Sequence, residues 1–533
     1  MKDNKKLKIY ISIFITIIII AGVSYAYFFL RKEQTNDNVI GTRTCLDTTL
    51  NEQTSRILLE DAIPISDKDG LNQTPFTFSV TNNCDSYVKL TITIENEKRE
   101  STSTSLLNDN LIKINLSPKG TTTGTSKLLG ILTLTDIEAG RKGYIISETG
   151  LKGGETKEYD LRTWMDSNTT LDEGLGKSWE GKIVIIVNAE EEPITWENPG
   201  KNTLLAAIKN SNTVSKPLTT PGVAISTASE AILASTADDY GTSYYFRGAV
   251  TNNYVQFANK CWRIVRVGGD GSIKLILHND NTAGAANPCN SANNSASAAF
   301  AHYDGDTYKS AFNANYNDNA YVGFKYGTPG SNKYETTHAN TNNSTILTNL
   351  EAWYNNNDNF KKYEKVIADT VWCNDKTNVT DTTYDPFGEK PNGLGYAKNV
   401  TYYGAAQRLM SPSNSAGGTG PSLKCNGELS KITSKVGLIT ADELAFAGYA
   451  YGLLVNSTTY LQENATDGFW WSLSPIDFDG YHASVWIVGT GNGNFVGGSL
   501  GGYTHGVRPS LSLKSTVPIA SGKGTRTSPY IIK

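Results

Sequence analysis

Histidine and charge are scarce in this 533-residue chain, and a metal-binding cysteine spacing is absent. Its five histidines (His278, His302, His338, His482, His505) are scattered and no C-x-x-C occurs, which excludes a zinc site. No cofactor is expected. Only 19% of residues are charged and the net charge is −4, so there is neither a basic patch for nucleic acid nor an acidic, solvated arm. Apolar residues make up 38%, which is low for one large core. The C-terminal stretch from Thr525 to Lys533 carries no hydrophobic anchor. What is abundant instead is Asn, Thr, Ser, Gly and Tyr, a mixture that favours strands and turns. The expectation is a mainly β protein whose Tyr- and Asn-rich loops make adaptable contact surfaces.

The exception to the apolar scarcity lies at the start. Lys2, Lys5, Lys6 and Lys8 precede an apolar run from Ile9 to Leu30, and Arg31 and Lys32 follow it. A run of roughly 20 residues suffices to cross a bilayer as a helix, and the leading lysines hold the N-terminus in the cytoplasm. Residues 1–32 therefore read as a signal anchor, giving a single-pass cell-membrane protein with an extracellular C-terminus. A cut after Ala26, at the small residues of Ser24-Tyr25-Ala26, gives a secreted protein instead. In that compartment six cysteines suggest disulfides. Cys45 and Cys84 stand alone in their region; Cys261, Cys289, Cys373 and Cys425 permit three pairings, of which the sequential one is simplest.

Residues 40–190 read as a β-sandwich. Pro75 to Thr81 and Tyr87 to Ile94 alternate apolar and polar residues, the pattern of half-buried strands. Asn82-Asn83 between them suggests a hairpin, and Leu111 to Leu116 and Ile183 to Val187 supply further strands. Residues 191–237, with Pro217 and Pro221 and a short helix over Asn202 to Lys209, read as a linker. The Ser24-Tyr-Ala-Tyr27 export signature, Val80-Thr-Asn-Asn-Cys84 and Tyr159-Asp-Leu-Arg-Thr-Trp-Met-Asp166 resemble the sandwich regions of Gram-positive surface proteins of the camelysin and biofilm-fibre type.

Residues 238–533 form the second expected domain, of α+β character. Cys261 to Val267 and Ser272 to Leu277 flank Gly268-Gly-Asp-Gly271, a hairpin signal. Asn279 to Asn343 is polar and reads as elaborated loops. Helices are expected over Thr345 to Asn355, with Ile346, Leu347, Leu350 and Trp353 on one face, and over Phe360 to Val371. Thr440 and Glu443 form a capping box for a helix that Gly448 ends. A Trp-rich strand, Phe469-Trp-Trp-Ser-Leu-Ser-Pro475, and a closing strand from Gly506 follow.

Leu438-Ile-Thr-Ala-Asp-Glu-Leu-Ala-Phe-Ala447, the Trp-rich strand and Gly506-Val-Arg-Pro509 resemble exported Firmicutes proteins with a C-type-lectin-like domain of the formylglycine-generating-enzyme type. Asp239 to Arg247 and Lys260 to Arg266 extend the likeness. The resemblance implies that residues 476–505 lie on an exposed, ligand-binding face, which retroelements diversify in some relatives. Asp477, Phe478, Asp479, Tyr481, His482, Trp486, Asn492, Asn494, Tyr503 and His505 are the candidate contacts; Trp471 and Val485 are expected in the core. The copper chemistry of the enzymes in that family is not implied, because no cysteine follows Cys425. Glu-Pro-Asn and Gln-Pro-Asp, the calcium-dependent sugar triplets, are also missing.

Gly497-Gly-Ser-Leu-Gly501 matches G-x-S-x-G, but that motif needs a helix after it, and a glycine-rich turn and closing strand follow here. Asp477 and Asp479, alternate residues on one strand, do not make an opposed glycosidase pair. No enzyme is expected. The reading is an adhesin-like display protein, anchored by its N-terminal helix, with an extracellular protein or glycan as partner. The alternatives are a secreted matrix or fibre component and, further off, an extracellular hydrolase.

Overall fold

Alternation of apolar and polar side chains makes strands throughout this chain, and the computed structural model is mainly β. It describes residues 29–33, 47–52, 57–60, 62–96, 106–123, 126–138, 140–190, 192–302, 308–425, 427–489 and 491–533. Two units divide between Pro193 and Ile194.

The first unit contains β1 (Phe29–Glu33), β2 (Thr48–Glu52), β3 (Ile57–Leu59), β4 (Phe76–Asn82), β5 (Val88–Asn96), β6 (Ile112–Pro118), β7 (Lys127–Leu128), β8 (Leu134–Glu138), β9 (Arg141–Leu151), β10 (Thr156–Met165) and β11 (Trp179–Ala189), with short helices α1 (Asp67–Leu71) and α2 (Leu171–Gly174). One sheet runs β1-β11-β5-β9-β8, with β3 also on β11; the other runs β2-β4-β10-β6-β7. Phe76, Phe78 and Val80 from one sheet meet Leu90, Ile92, Ile94, Ile183 and Ile185 from the other in a single buried core, so the unit is a β-sandwich.

The expected hairpin at Asn82-Asn83 does not form. β4 and β5 belong to different sheets, and the chain arches between them. Buried Asn82 holds the arch: its Nδ2 donates to the carbonyls of Ser86 at 2.7 Å and Lys152 at 3.0 Å, and its Oδ1 accepts from Cys84 N–H at 3.1 Å. Two strands with apolar faces close a core by facing each other as readily as by pairing, and the side-chain amide satisfies the backbone groups the arch exposes. Cys84 is disulfide-bonded; its expected partner Cys45 lies outside the described residues.

The expected N-terminal membrane helix lies outside them too, except at its end. Phe29–Glu33 pairs antiparallel with β11, so those last positions are strand, not helix. Among the described residues no helix is long and apolar enough to cross a membrane.

The second unit opens at once, without a linker. Trp196 stacks on Tyr244 at 4.0 Å. Helix α3 (Leu204–Ser211) buries Leu204, Leu205 and Ile208, and β12 (Ala231–Asp238) pairs with β13 (Gly241–Gly248). Residues 194–237, expected as a linker, thus supply core and sheet; the prolines sit in connections between packed pieces. Next come β14 (Tyr254–Phe257), β15 (Lys260–Val267) and β16 (Ile273–Asn279). The glycine hairpin between β15 and β16 forms as expected, and Gly269 is needed there, because a Cβ would meet Gly241 N at 2.5 Å.

The remaining strands are β17 (Lys309–Ala311), β18 (Lys325–Tyr326), β19 (Asn342–Asn343), β20 (Thr370–Cys373), β21 (Thr401–Tyr402), β22 (Lys431–Ser434), β23 (Trp470–Phe478), β24 (Ala483–Val488), β25 (Phe495–Leu500), β26 (Thr504–Gly506), β27 (Ser510–Leu513), β28 (Ile519–Ser521) and β29 (Tyr530–Ile532). The helices are α4 (Tyr334–Thr337), α5 (Thr345–Asn355), α6 (Asp358–Lys362), α7 (Gly404–Leu409) and α8 (Ala441–Ala447). An eight-stranded sheet carries β12 to β16 with β27, β28 and β29, and a six-stranded sheet runs β17-β26-β23-β24-β25 with β21 on β23.

Helix α5 has the expected limits and buries the expected four side chains. The helix expected over Phe360 to Val371 stops at Lys362, because Thr370 to Cys373 pair with β22 instead. The polar stretch after Asn279 is irregular, yet Phe300, Phe312 and Phe324 from it are fully buried in the main core. Cys261–Cys289 and Cys373–Cys425 are disulfides, closing loops that each contribute about 3.5–4 kcal/mol in the chain-entropy description.

Candidate functional site

β23 and β24 are joined by Asp479-Gly480-Tyr481-His482, a loop built to expose side chains. Gly480 takes φ +96°, a conformation that suits glycine. The Asp479 carboxylate accepts the backbone N–H of Tyr481 at 2.6 Å and of His482 at 2.5 Å, and its other oxygen lies 3.2 Å from His482 Nδ1. So pinned, the loop turns Tyr481 outward with 75% of its surface exposed.

The loop forms one wall of an open groove of about 790 Å³, lined by Ala314, Asn315, Tyr316, Asn317, Lys398, Val400 and residues 479–482. Tyr316 stacks on His482 with ring centres 5.5 Å apart and planes at 24°. Lys398 donates to the Asn317 carbonyl and caps the Phe478 ring from 5.8 Å. The groove offers an aromatic platform, carboxamide groups, one ammonium and one carboxylate. That set has the chemistry to stack on and hydrogen-bond to a polar ligand.

Of the ten expected contacts, Asp479, Tyr481 and His482 reach this groove. Three others are buried and cannot touch a ligand from solvent. Phe478 joins Val322, Tyr403 and Ala483 in a small core. Trp486 stacks on Phe495 at 4.8 Å and meets Tyr451 edge-on, because every side chain of β24 is buried. Asp477 lies in β23, buried on both faces; burial first, then the nearby Glu389 and Asp479 charges, pushes its carboxyl up to about 8. Asn492 and Tyr503 are exposed and Asn494 half-buried, all apart from the groove lining. His505 is engaged with Ser499. Trp471 and Val485 are buried as expected.

The rest of the lining is not legible in the sequence. Tyr316 lies 163 residues before Asp479, among asparagines, in a stretch with no periodicity. A tyrosine set among asparagines, Asn313-Ala-Asn-Tyr-Asn317, was the available signal.

A second cluster surrounds the capping box. Glu443 accepts from Arg266 at 2.9 Å and Lys274 at 2.7 Å while it caps its own helix. Arg408 grips Asp442 at 2.7 and 2.8 Å and Asp375 at 2.6 Å. Asp238 lies 3.3 Å from Arg266. Each charge here has an opposite partner, so the cluster ties α8 to β15, β16 and α7. Among the described residues no three His, Cys, Asp or Glu side chains gather to hold a metal ion.

Compared with known proteins, the chain matches no protein family, no curated protein and no solved structure.

Proposed function

We propose that this chain is an exported surface protein whose second unit binds an extracellular ligand in the groove between Tyr316 and Tyr481. The observation that carries this reading is an exposed tyrosine on a pinned loop, beside a stacked Tyr–His pair in an open groove. Large rigid aromatics held ready at the surface bind at low entropy cost. Display at the membrane rests on the sequence: Ile9 to Phe28, ahead of β1, still spans 20 residues, the length a crossing helix needs. The sandwich unit then belongs with the camelysin-type spacers and the second unit with the C-type-lectin-like heads. The capped α8 helix and the Trp-rich β23, the motifs that carry the latter resemblance, support that assignment.

The test is a glycan and surface-protein array probed with the full chain beside the Tyr481→Ala/His482→Ala double variant. A captured ligand should lose ten-fold or more in affinity with the variant, whose removed side chains lie outside the core. Equal binding by both proteins would remove the groove from the reading.

A further inference from the structure

The G-x-S-x-G segment set aside above contains a second chemistry. Ser499, in β25, and His505, in β26, are brought together by the tight turn Gly501-Gly502-Tyr503, which Tyr503 N–H closes on Leu500 O at 3.0 Å. Gly502 is required in it, because a Cβ would lie 2.2 Å from the Tyr316 ring. Across this turn Ser499 Oγ and His505 Nε2 are 2.6 Å apart. The imidazole is held against Trp471, with ring centres 4.6 Å apart, and Phe469 at 5.4 Å. In the tautomer with its proton on Nδ1, the ring leaves Nε2 to accept from the serine hydroxyl.

Burial, then the Lys309 ammonium, lowers the imidazole to about 4, so the ring is neutral at ordinary pH. Both side chains are half-buried, neither sealed nor free. This is the nucleophile–base pairing of a serine acyl-transfer site, with the imidazole packed on Trp471 and Phe469. The nucleophile stands on a strand, not on the strand-to-helix elbow that the sequence motif calls for.

We infer that Ser499 and His505 form a nucleophile–base pair that accepts acyl groups from small esters. Oγ attacks the ester carbonyl carbon as its proton passes to Nε2. The carbon–oxygen bond to the alcohol breaks and the alcohol leaves with that proton. Water then attacks the acyl-serine and gives a proton to Nε2; the serine recovers it as the carboxylic acid departs. The low basicity of the ring makes this a slow site. The inference goes beyond the binding role and does not depend on it.

The full chain, treated with a fluorophosphonate probe and digested, should carry one phosphonyl adduct, on Ser499. Ser499→Ala should carry none, and His505→Gln should label 10²-fold or more slowly, the usual range for loss of a general base being 10²–10⁴. Hydrolysis of p-nitrophenyl acetate should rise with pH through a midpoint near 4 and stay level to pH 8. An unlabelled, folded wild-type protein overturns the inference. So does equal ester turnover by wild type and Ser499→Ala, or a midpoint near 6.5. Thermal melts check that the variants fold; if His505→Gln unfolds, Ser499→Ala decides.

Discussion

Asp477 and Tyr481 are four residues apart, equally polar in prospect, and burial separates them. The Asp477 carboxyl is enclosed, with Oδ1 lacking a hydrogen-bond partner among the described residues, and burial together with Glu389 and Asp479 holds it up to about 8. An unfolded aspartate titrates near 3.9. The folded chain therefore binds one more proton than the unfolded chain between those values, and the associated stability is full below about 4 and lost as pH rises through about 8. Asp477→Asn removes that titration. Its melting temperature should exceed wild type by a few degrees at pH 8.5 and converge with it near pH 4, in melts run at several pH values. A gap that stays constant with pH would show that the carboxyl ionises freely in the folded protein. The sequence identified both residues as candidates by type alone; type does not reveal which side of a strand is covered.

At the scale of an element, α8 was the most legible part of the chain. Thr440 and Glu443 cap it reciprocally, as their three-residue spacing implies, since that spacing places each beside the other's backbone N–H. Glu443 has a second duty that spacing does not show. Burial pushes its carboxyl up, but Lys274 and Arg266 outweigh burial and hold it at about 2. Thr440→Ala, which removes one cap, should cost about 1 kcal/mol. Glu443→Gln leaves Lys274 buried without its counter-charge and should cost about 3–5 kcal/mol. Urea unfolding of the two variants checks the order, and equal costs would reduce Glu443 to a cap. The helix expected past Phe360 failed for the converse reason: its apolar spacing suited a helix, but pairing with β22, a strand 60 residues away, took Thr370 to Cys373.

For the whole molecule, the boundary between the units is the sharpest claim. A fragment starting at residue 194 keeps α3 and β12, whereas one starting at 238 strips Leu204, Leu205 and Ile208 from the core and leaves β13 without one of its two hydrogen-bonded neighbours, β12. The 194–533 fragment should be soluble and melt cooperatively; the 238–533 fragment should aggregate or melt without a transition. Cooperative melting of both would restore 194–237 to the role of a linker. By itself the sequence determined what is local: strand alternation, the glycine hairpin, the capping box of one helix, and three of the groove's residues among ten candidates. Only the tertiary structure decided which strands share a sheet, which aromatics are covered, that Tyr316 stacks on His482, and that Ser499 meets His505. Those facts depend on contacts between residues far apart in the chain or across a turn, and they are fixed when whole faces are buried together, which no run of neighbouring residues encodes.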